Sequence, residues 1–194
     1  MSYKKSALKY SVGNKGLIMN WNGFEAEVFK LVVQALEALQ AEHSDERFYA
    51  FSLYADSSAM TIAFAANSHE ALECKLLEED EEDRDDSRQY YTWATSEWKY
   101  EAWRGELFKS ACKALREDVE RSNIADFRKK LYAAMTNILR ALRQGDCFKS
   151  FAVQEPVLFV TVTDDETAEH VENETARVIN SRSAYESFAN RFEV

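Results

Sequence analysis

The sequence predicts an α+β fold in a single domain. The expected architecture is a small, mostly antiparallel sheet, a hairpin over residues 47–66 plus a buried strand over 157–163, packed by four to six helices. Three observations carry that expectation. Apolar residues recur at intervals of three and four between Phe24 and Leu39, and again between Ile124 and Leu142, which is the helical period. Aromatic and β-branched residues alternate at period two in RFYAFSLYAD and AMTIAFAAN, parted by two serines, as in a hairpin. PVLFVTVT is an almost unbroken β-branched and aromatic run, the pattern of a strand covered on both faces. A chain of 194 residues that is 46% hydrophobic and 30% charged is long enough and apolar enough to bury one core. One proline and five glycines imply long helices joined by short connections.

Residues 1–18, with four lysines, read as a basic N-terminal extension; the domain is expected over 19–194, with Met19 as an alternative start. The lysines are followed by no continuous apolar stretch, so no secretory signal is expected there. The first helix opens near Asn22, where Asn22 and Glu25 have the spacing of a capping box, and ends near His43. After the hairpin, a helix starting at Asn67 or Ser68 runs toward Leu77. The acidic run EEDEEDRDD at 78–86 follows, a loop or frayed helix end because carboxylates repel one another and have no apolar partner. From Ser96 to about Ser122 a helical period places Tyr100, Trp103, Leu107, Ala111, Ala114 and Leu115 on one stripe and leaves Trp98 off it. The helix at 124–144 stops at Gly145, and Pro156 opens the buried strand. Thr163 and Glu166 have capping-box spacing for the next helix. The period breaks near Asn180–Ser183, before a short final helix with Tyr185, Phe188 and Phe192 on one side.

Charge is unevenly spread. The net charge is −10, and the nine residues 78–86 hold eight carboxylates against one arginine, so one short segment supplies most of the acidity. Such a focus raises the local potential and steers a basic partner over a range set by salt. No run approaches the length of a membrane span, so no membrane partner is expected. Cys74, Cys112 and Cys147 are odd in number and widely spaced, which reads as reduced thiols in a cytoplasmic protein.

Motifs for chemistry are absent. The histidines at 43, 69 and 170 do not have the spacing that puts two imidazoles on one helical turn, and no metal site or cofactor is expected. There is no G-x-S-x-G elbow and no glycine-rich phosphate loop. The basic residues of FRKKLY at 127–132 point away from the core face as on any soluble helix, and the neighbouring acidic block opposes a polyanion, so nucleic acid is not an expected partner. Glu97 and Glu101 stand four apart beside Trp98, the one paired-carboxylate arrangement that suits acid catalysis; on a solvated face Lys99 and Arg104 would supply the opposing charge.

The pattern Trp93…Glu97-Trp98-Lys99-Tyr100-Glu101, preceded by the strand FYAFSLYAD, resembles a bacterial family called domain of unknown function 4303, over residues from about 22 to 190. The resemblance implies no catalytic residues. Members of that family are similar to small single-domain proteins of toxin–immunity neighbourhoods, which implies a protein-binding role. The leading expectation is therefore a cytoplasmic binding module, an immunity-type protein that neutralises a basic toxin domain. Its steering charges would be Asp80, Glu81, Glu82, Asp83, Asp85 and Asp86, and its anchors an exposed Trp98 with Tyr90 or Tyr91, flanked by Glu97 and Glu101. Trp93 and Trp103 are assigned to the core. The competing class is an enzyme without a local motif, with Glu97, Glu101 and His69 as first suspects.

Overall fold

The computed structural model describes residues 10–13, 16–151 and 155–192, with side chains from Ile18 onward. Residues 1–9 and 14–15 of the expected N-terminal extension lie outside the described residues. Its remainder forms an antiparallel hairpin, β1 (Tyr10–Gly13) and β2 (Gly16–Met19), where no strand was expected. Met19 is buried in the main core, and its N–H donates to the Asp118 carboxylate at 2.6 Å.

Helix α1 (Trp21–Glu42) starts two residues earlier than the expected capping box implies: the Asn20 side chain accepts the Gly23 N–H at 3.3 Å. Its buried face is Phe24, Val28, Leu31, Val32, Ala35, Leu36 and Leu39, the apolar stripe read from the period. Strands β3 (Phe48–Asp56) and β4 (Ala63–Ser68) form the hairpin, and β5 (Val157–Thr163) is the buried strand. The strand order is β4-β3-β5: β3 pairs with β4 antiparallel and with β5 parallel. The α+β class stands, with a mixed three-stranded sheet and seven α-helices among the described residues.

Both faces of this sheet are covered, and that fact organises the molecule. Phe51, Leu53, Phe64, Leu158 and Val160 face the main core with α1 and α5 (Ile124–Gln144). Ala50, Ala65, Val157 and Phe159 face a second, smaller core on the opposite side. Helices α2 (His69–Leu76), α3 (Arg84–Trp93), α6 (Ala168–Ile179) and α7 (Arg182–Ala189) frame that second side and the β5 edge.

The helix expected from Ser96 to Ser122 does not form as one element. Only α4 (Lys109–Glu117) is α-helical there, with short 3₁₀ turns at 95–97, 105–108 and 119–122. The physical reason is backbone pairing: Tyr100 accepts the Ala66 N–H at 3.3 Å, and the Trp103 N–H donates to Phe64 at 2.9 Å, so this stretch covers the open edge of β4. The turn that follows uses Ala102 and Arg104 in the left-handed region, φ 48° and 53°. Tyr100, Ala111, Ala114 and Leu115 are buried as the stripe implied, but by an irregular path. The capping box expected at Thr163–Glu166 is likewise absent. Asp164 turns with φ 55°, Thr167 occupies the cap position, and Asp165 instead accepts the Thr167 N–H and hydroxyl.

Candidate functional site

Ser68 caps α2 by accepting the Ala71 N–H at 3.0 Å. The chain then turns through 77–83 and enters α3, so the last three residues of the expected acidic loop, 84–86, are the start of a helix. Asp85 and Asp86 lie in the first turn of α3, where the helix dipole favours negative charge. That accounts for two carboxylates. Asp80, Glu81, Glu82 and Asp83 precede the helix, and Asp83, at the cap position, makes no side-chain cap. All six are exposed, and none forms an ion pair among the described residues. Their neighbours are engaged: Glu78 with Lys75 at 3.4 Å, Glu73 with Arg88 at 2.5 Å, and Glu79 with the Tyr91 hydroxyl.

Helix α3 buries none of its residues fully, yet it is tethered on two sides. Arg88 reaches α2, while Gln89 donates to the Arg191 carbonyl and Trp93 packs edge-on to Phe188 at 5.0 Å. Tyr90 is 54% exposed and Leu77 67% exposed, flanking the acidic run. Tyr91 is half-buried: its hydroxyl donates to Glu79 and Lys75 sits over its ring. The Glu79 hydrogen bond and burial push the Tyr91 hydroxyl up to about 12.

Trp98 is a correction. It is 3% exposed rather than an exposed anchor, because it fills the second core. Its ring stands at right angles to Phe159 at 5.8 Å, and its indole N–H donates to the Thr92 carbonyl at 3.1 Å. A stripe drawn for one continuous helix against one core could not place it. Glu97 and Glu101 are a second correction. With no helix between them they serve different partners, Glu97 facing Lys75 at 3.6 Å and Glu101 accepting from the Tyr54 hydroxyl. The paired-carboxylate arrangement is therefore not present. Trp93 and Trp103 are partly buried against the second and the main core respectively.

His69, the third suspect, lines a cleft that no sequence motif marked. The cleft, of about 640 Å³, lies where β3 and β5 begin. Arg47, Phe48 and Tyr49 come from the β3 start, His69 from α2, Thr92 and Trp93 from the end of α3. Glu155 and Val157 at the β5 start and Ser183, Ala184 and Ser187 on α7 close the other side. Glu70 grips Arg47 twice, accepting its N–H and its Nε, each at 2.7 Å. The guanidinium is thus fixed, and its Nη1 and Nη2 have no acceptor among the described residues. Tyr49 donates to the Thr92 carbonyl at 2.9 Å and accepts from Asn67 at 3.0 Å, and burial pushes its hydroxyl well up. Glu155, just before β5, is engaged by Arg143 and by Ser181.

Glu46, next to Arg47, forms a second polar knot. It accepts from the Tyr100 hydroxyl at 2.6 Å, from Lys99 at 2.9 Å and from the Ser68 hydroxyl. Burial works to raise this carboxyl, but the Ser68, Tyr100 and Lys99 donors outweigh it and hold it below its ordinary value. Burial and the Glu46 carboxylate push the Tyr100 hydroxyl up to about 12. Neither Glu46 nor Arg47 carries a sequence signal, since each works through residues distant in the chain.

Among the described residues no serine or cysteine hydroxyl or thiol is hydrogen-bonded to a histidine, and no cluster of three metal-ligating side chains forms. No helix is long and apolar enough to cross a membrane.

A family model described as a domain of unknown function (DUF4303) matches residues 28–181. No curated protein and no solved structure matches the chain.

Proposed function

The chain belongs to the DUF4303 family, and we propose that it is a protein-binding module that recruits a basic protein through the α2–α3 connection. The observation that carries this reading is the group of six exposed, unpaired carboxylates, Asp80, Glu81, Glu82, Asp83, Asp85 and Asp86, set beside exposed Leu77 and Tyr90. A surface that served only solubility would mix both signs and compensate them locally. Here eight carboxylates in nine residues face a single arginine within the run, next to exposed Leu77 and Tyr90, the combination of a steering field and a contact anchor. Tyr90 takes the anchor role in place of Trp98. A toxin domain is the kind of basic partner that the toxin–immunity resemblance puts first.

The test is a pull-down from the native host with the wild type, a variant carrying the six carboxylates as Asn or Gln, and Tyr90→Ala. A basic protein retained by the wild type and lost from both variants is the expected result. Its reconstituted 1:1 complex should form more slowly as salt rises. An identical set of retained proteins for all three forms, or a complex whose association rate ignores salt, sinks the reading.

A further inference from the structure

A second site lies apart from the acidic surface. We infer that the cleft between the start of β3 and α7 binds a small aromatic carboxylate. The volume, about 640 Å³, is that of a small-molecule site. Its lining joins the polar side chains of Arg47, His69, Glu155, Ser183 and Ser187 to the rings of Tyr49 and Trp93.

Arg47 is the cationic group of the lining. Glu70 occupies its Nε and its backbone N–H, so the side chain is held in place while the outer edge, Nη1 and Nη2, stays open. That edge presents two parallel donors, the geometry that takes a carboxylate side-on. His69 adjoins it, its ring 5.0 Å from that of Tyr49. Tyr49 and Trp93 supply the aromatic lining, and their rings meet edge to face at 6.1 Å. Trp93 is itself fixed by Phe188, and Tyr49 by Asn67 and Thr92, so neither has to be ordered when a ligand enters. Helix α7 adds Ser183 and Ser187, one helical turn apart. Their hydroxyls suit a polar substituent of the ring, that of Ser183 lying also 3.2 Å from the Ser181 hydroxyl.

The two charged side chains differ in what they have left to offer, and that decides the polarity. Glu155 is already bound by Arg143, by the Ser181 hydroxyl and by the Ser181 N–H. It has little capacity left for an ammonium group. Arg47 keeps two donor groups unused, so the carboxylate of the ligand goes to Arg47 and its ring lies against Trp93.

Three probes separate the parts of this inference on the intact chain: 4-hydroxyphenylacetate, which has carboxylate, ring and hydroxyl; tyramine, which replaces the carboxylate by an amine; and acetate, which lacks the ring. Titrations would follow the Trp93 indole N–H resonance, with calorimetry for affinity. The acid should bind at least roughly tenfold more tightly than tyramine or acetate. Arg47→Gln should weaken the acid by roughly tenfold or more, and Ala184→Phe should abolish its binding by filling the cleft. Arg47 is 62% exposed, so its replacement is expected to leave the fold intact, which the melting temperature checks. The comparison of probes on the wild type stands even if a variant does not fold. The inference is overturned if millimolar acid leaves the Trp93 resonance unmoved, if tyramine or acetate binds as well as the acid, or if folded Arg47→Gln binds it undiminished.

Discussion

Asn180 lies alongside Leu158 as a neighbouring strand would: its Nδ2 donates to the Leu158 carbonyl at 2.7 Å, and its Oδ1 accepts the Leu158 N–H at 2.8 Å. Two residues along β5, the Thr175 hydroxyl accepts the Val160 N–H at 3.0 Å. Side chains of α6 and its C-terminal cap thus satisfy the outer edge of β5, which would otherwise offer unpaired backbone groups to another chain. The segment at Tyr100–Trp103 does the same for β4 with its own backbone. Both edges of the three-stranded sheet thus find partners without a fourth strand, at Leu158 and Val160 on β5 and at Phe64 and Ala66 on β4.

Asn180→Ala should be costly for this reason. It leaves the Leu158 N–H and carbonyl without partners and removes an acceptor from Arg143, which Asn180 holds at 2.8 Å. A loss of about 2–3 kcal/mol is expected in urea denaturation, with faster hydrogen exchange at Leu158. Unchanged exchange at that amide would mean that the carboxamide is not its partner.

Arg191 and Glu172 form a buried ion pair at 2.8 Å, with the arginine side chain fully inaccessible. Asn173 accepts from the guanidinium at 2.6 Å, Thr161 donates to Glu172 at 2.5 Å, and the Phe188 ring lies 3.9 Å beneath the guanidinium. Burial dominates both groups: it pushes the Glu172 carboxyl up and the Arg191 guanidinium down, each disfavouring its charged form. Removing one partner leaves the other charge stranded, so Glu172→Gln should cost about 3–5 kcal/mol. Glu172→Leu combined with Arg191→Met should lose less than Glu172→Gln alone. Denaturant unfolding of the single and double variants reads this ordering, and an additive double variant would contradict it.

The Glu46 knot sets part of the acid limb of stability. Its carboxyl is held below the ordinary value in the folded chain, so the unfolded chain takes up the proton first as pH falls. The stabilisation is therefore full above the ordinary glutamate value of about 4.3 and disappears as pH drops below it toward the folded value. Asp56, which accepts from Thr61, Met60 and Ser58, is depressed in the same sense and contributes to the same limb. Glu46→Gln should lower stability at neutral pH by about 1.5–3 kcal/mol, the range for hydrogen bonds to a charged group. It should also flatten the fall in stability below about pH 4.3 relative to the wild type. Melting temperatures across pH 3–7 measure both; parallel curves for the two proteins would remove Glu46 from the titration.

What was legible in the sequence follows the range of each interaction. The faces of α1 and α5 were readable because a helix repeats its contacts every three or four residues. The burial of β5 was readable because a strand covered on both faces has no polar side to show. Trp98 was not, since its burial depends on the second face of the sheet, supplied by Phe159 far along the chain. The six carboxylates were legible as charge, but their lack of partners was not. The cleft was invisible for the same reason as Trp98: Arg47, His69, Trp93 and Ser183 lie in separate parts of the chain. The antiparallel β3–β4 pairing sets His69 against Arg47, and the parallel pairing of β3 with β5 brings the start of β5 to the same end of the sheet.

Over 96–122 the helical period continues where the backbone does not. Periodicity could not detect that Ala102 takes φ 48° to carry the chain from the β4 edge into the 3₁₀ turn at Gly105. An alanine there bears the steric penalty of the left-handed region, about 1–2 kcal/mol, which glycine avoids. Glycine in turn loses about 0.5–1 kcal/mol through the greater freedom of the unfolded chain. Ala102→Gly should therefore be neutral to stabilising, by about 0.5–1 kcal/mol, raising the Tm by about 2 °C for a chain of this size. Arg104 is the poorer choice at φ 53°, because its side chain pairs with Glu42 and stacks on Trp103 at 4.9 Å. Ala114→Gly, at a buried position inside α4, is the contrasting variant and should lower stability by about 1 kcal/mol or more. If Ala102→Gly lowers the Tm as much as Ala114→Gly does, residue 102 is helical, and the pairing of Trp103 with Phe64 falls with it.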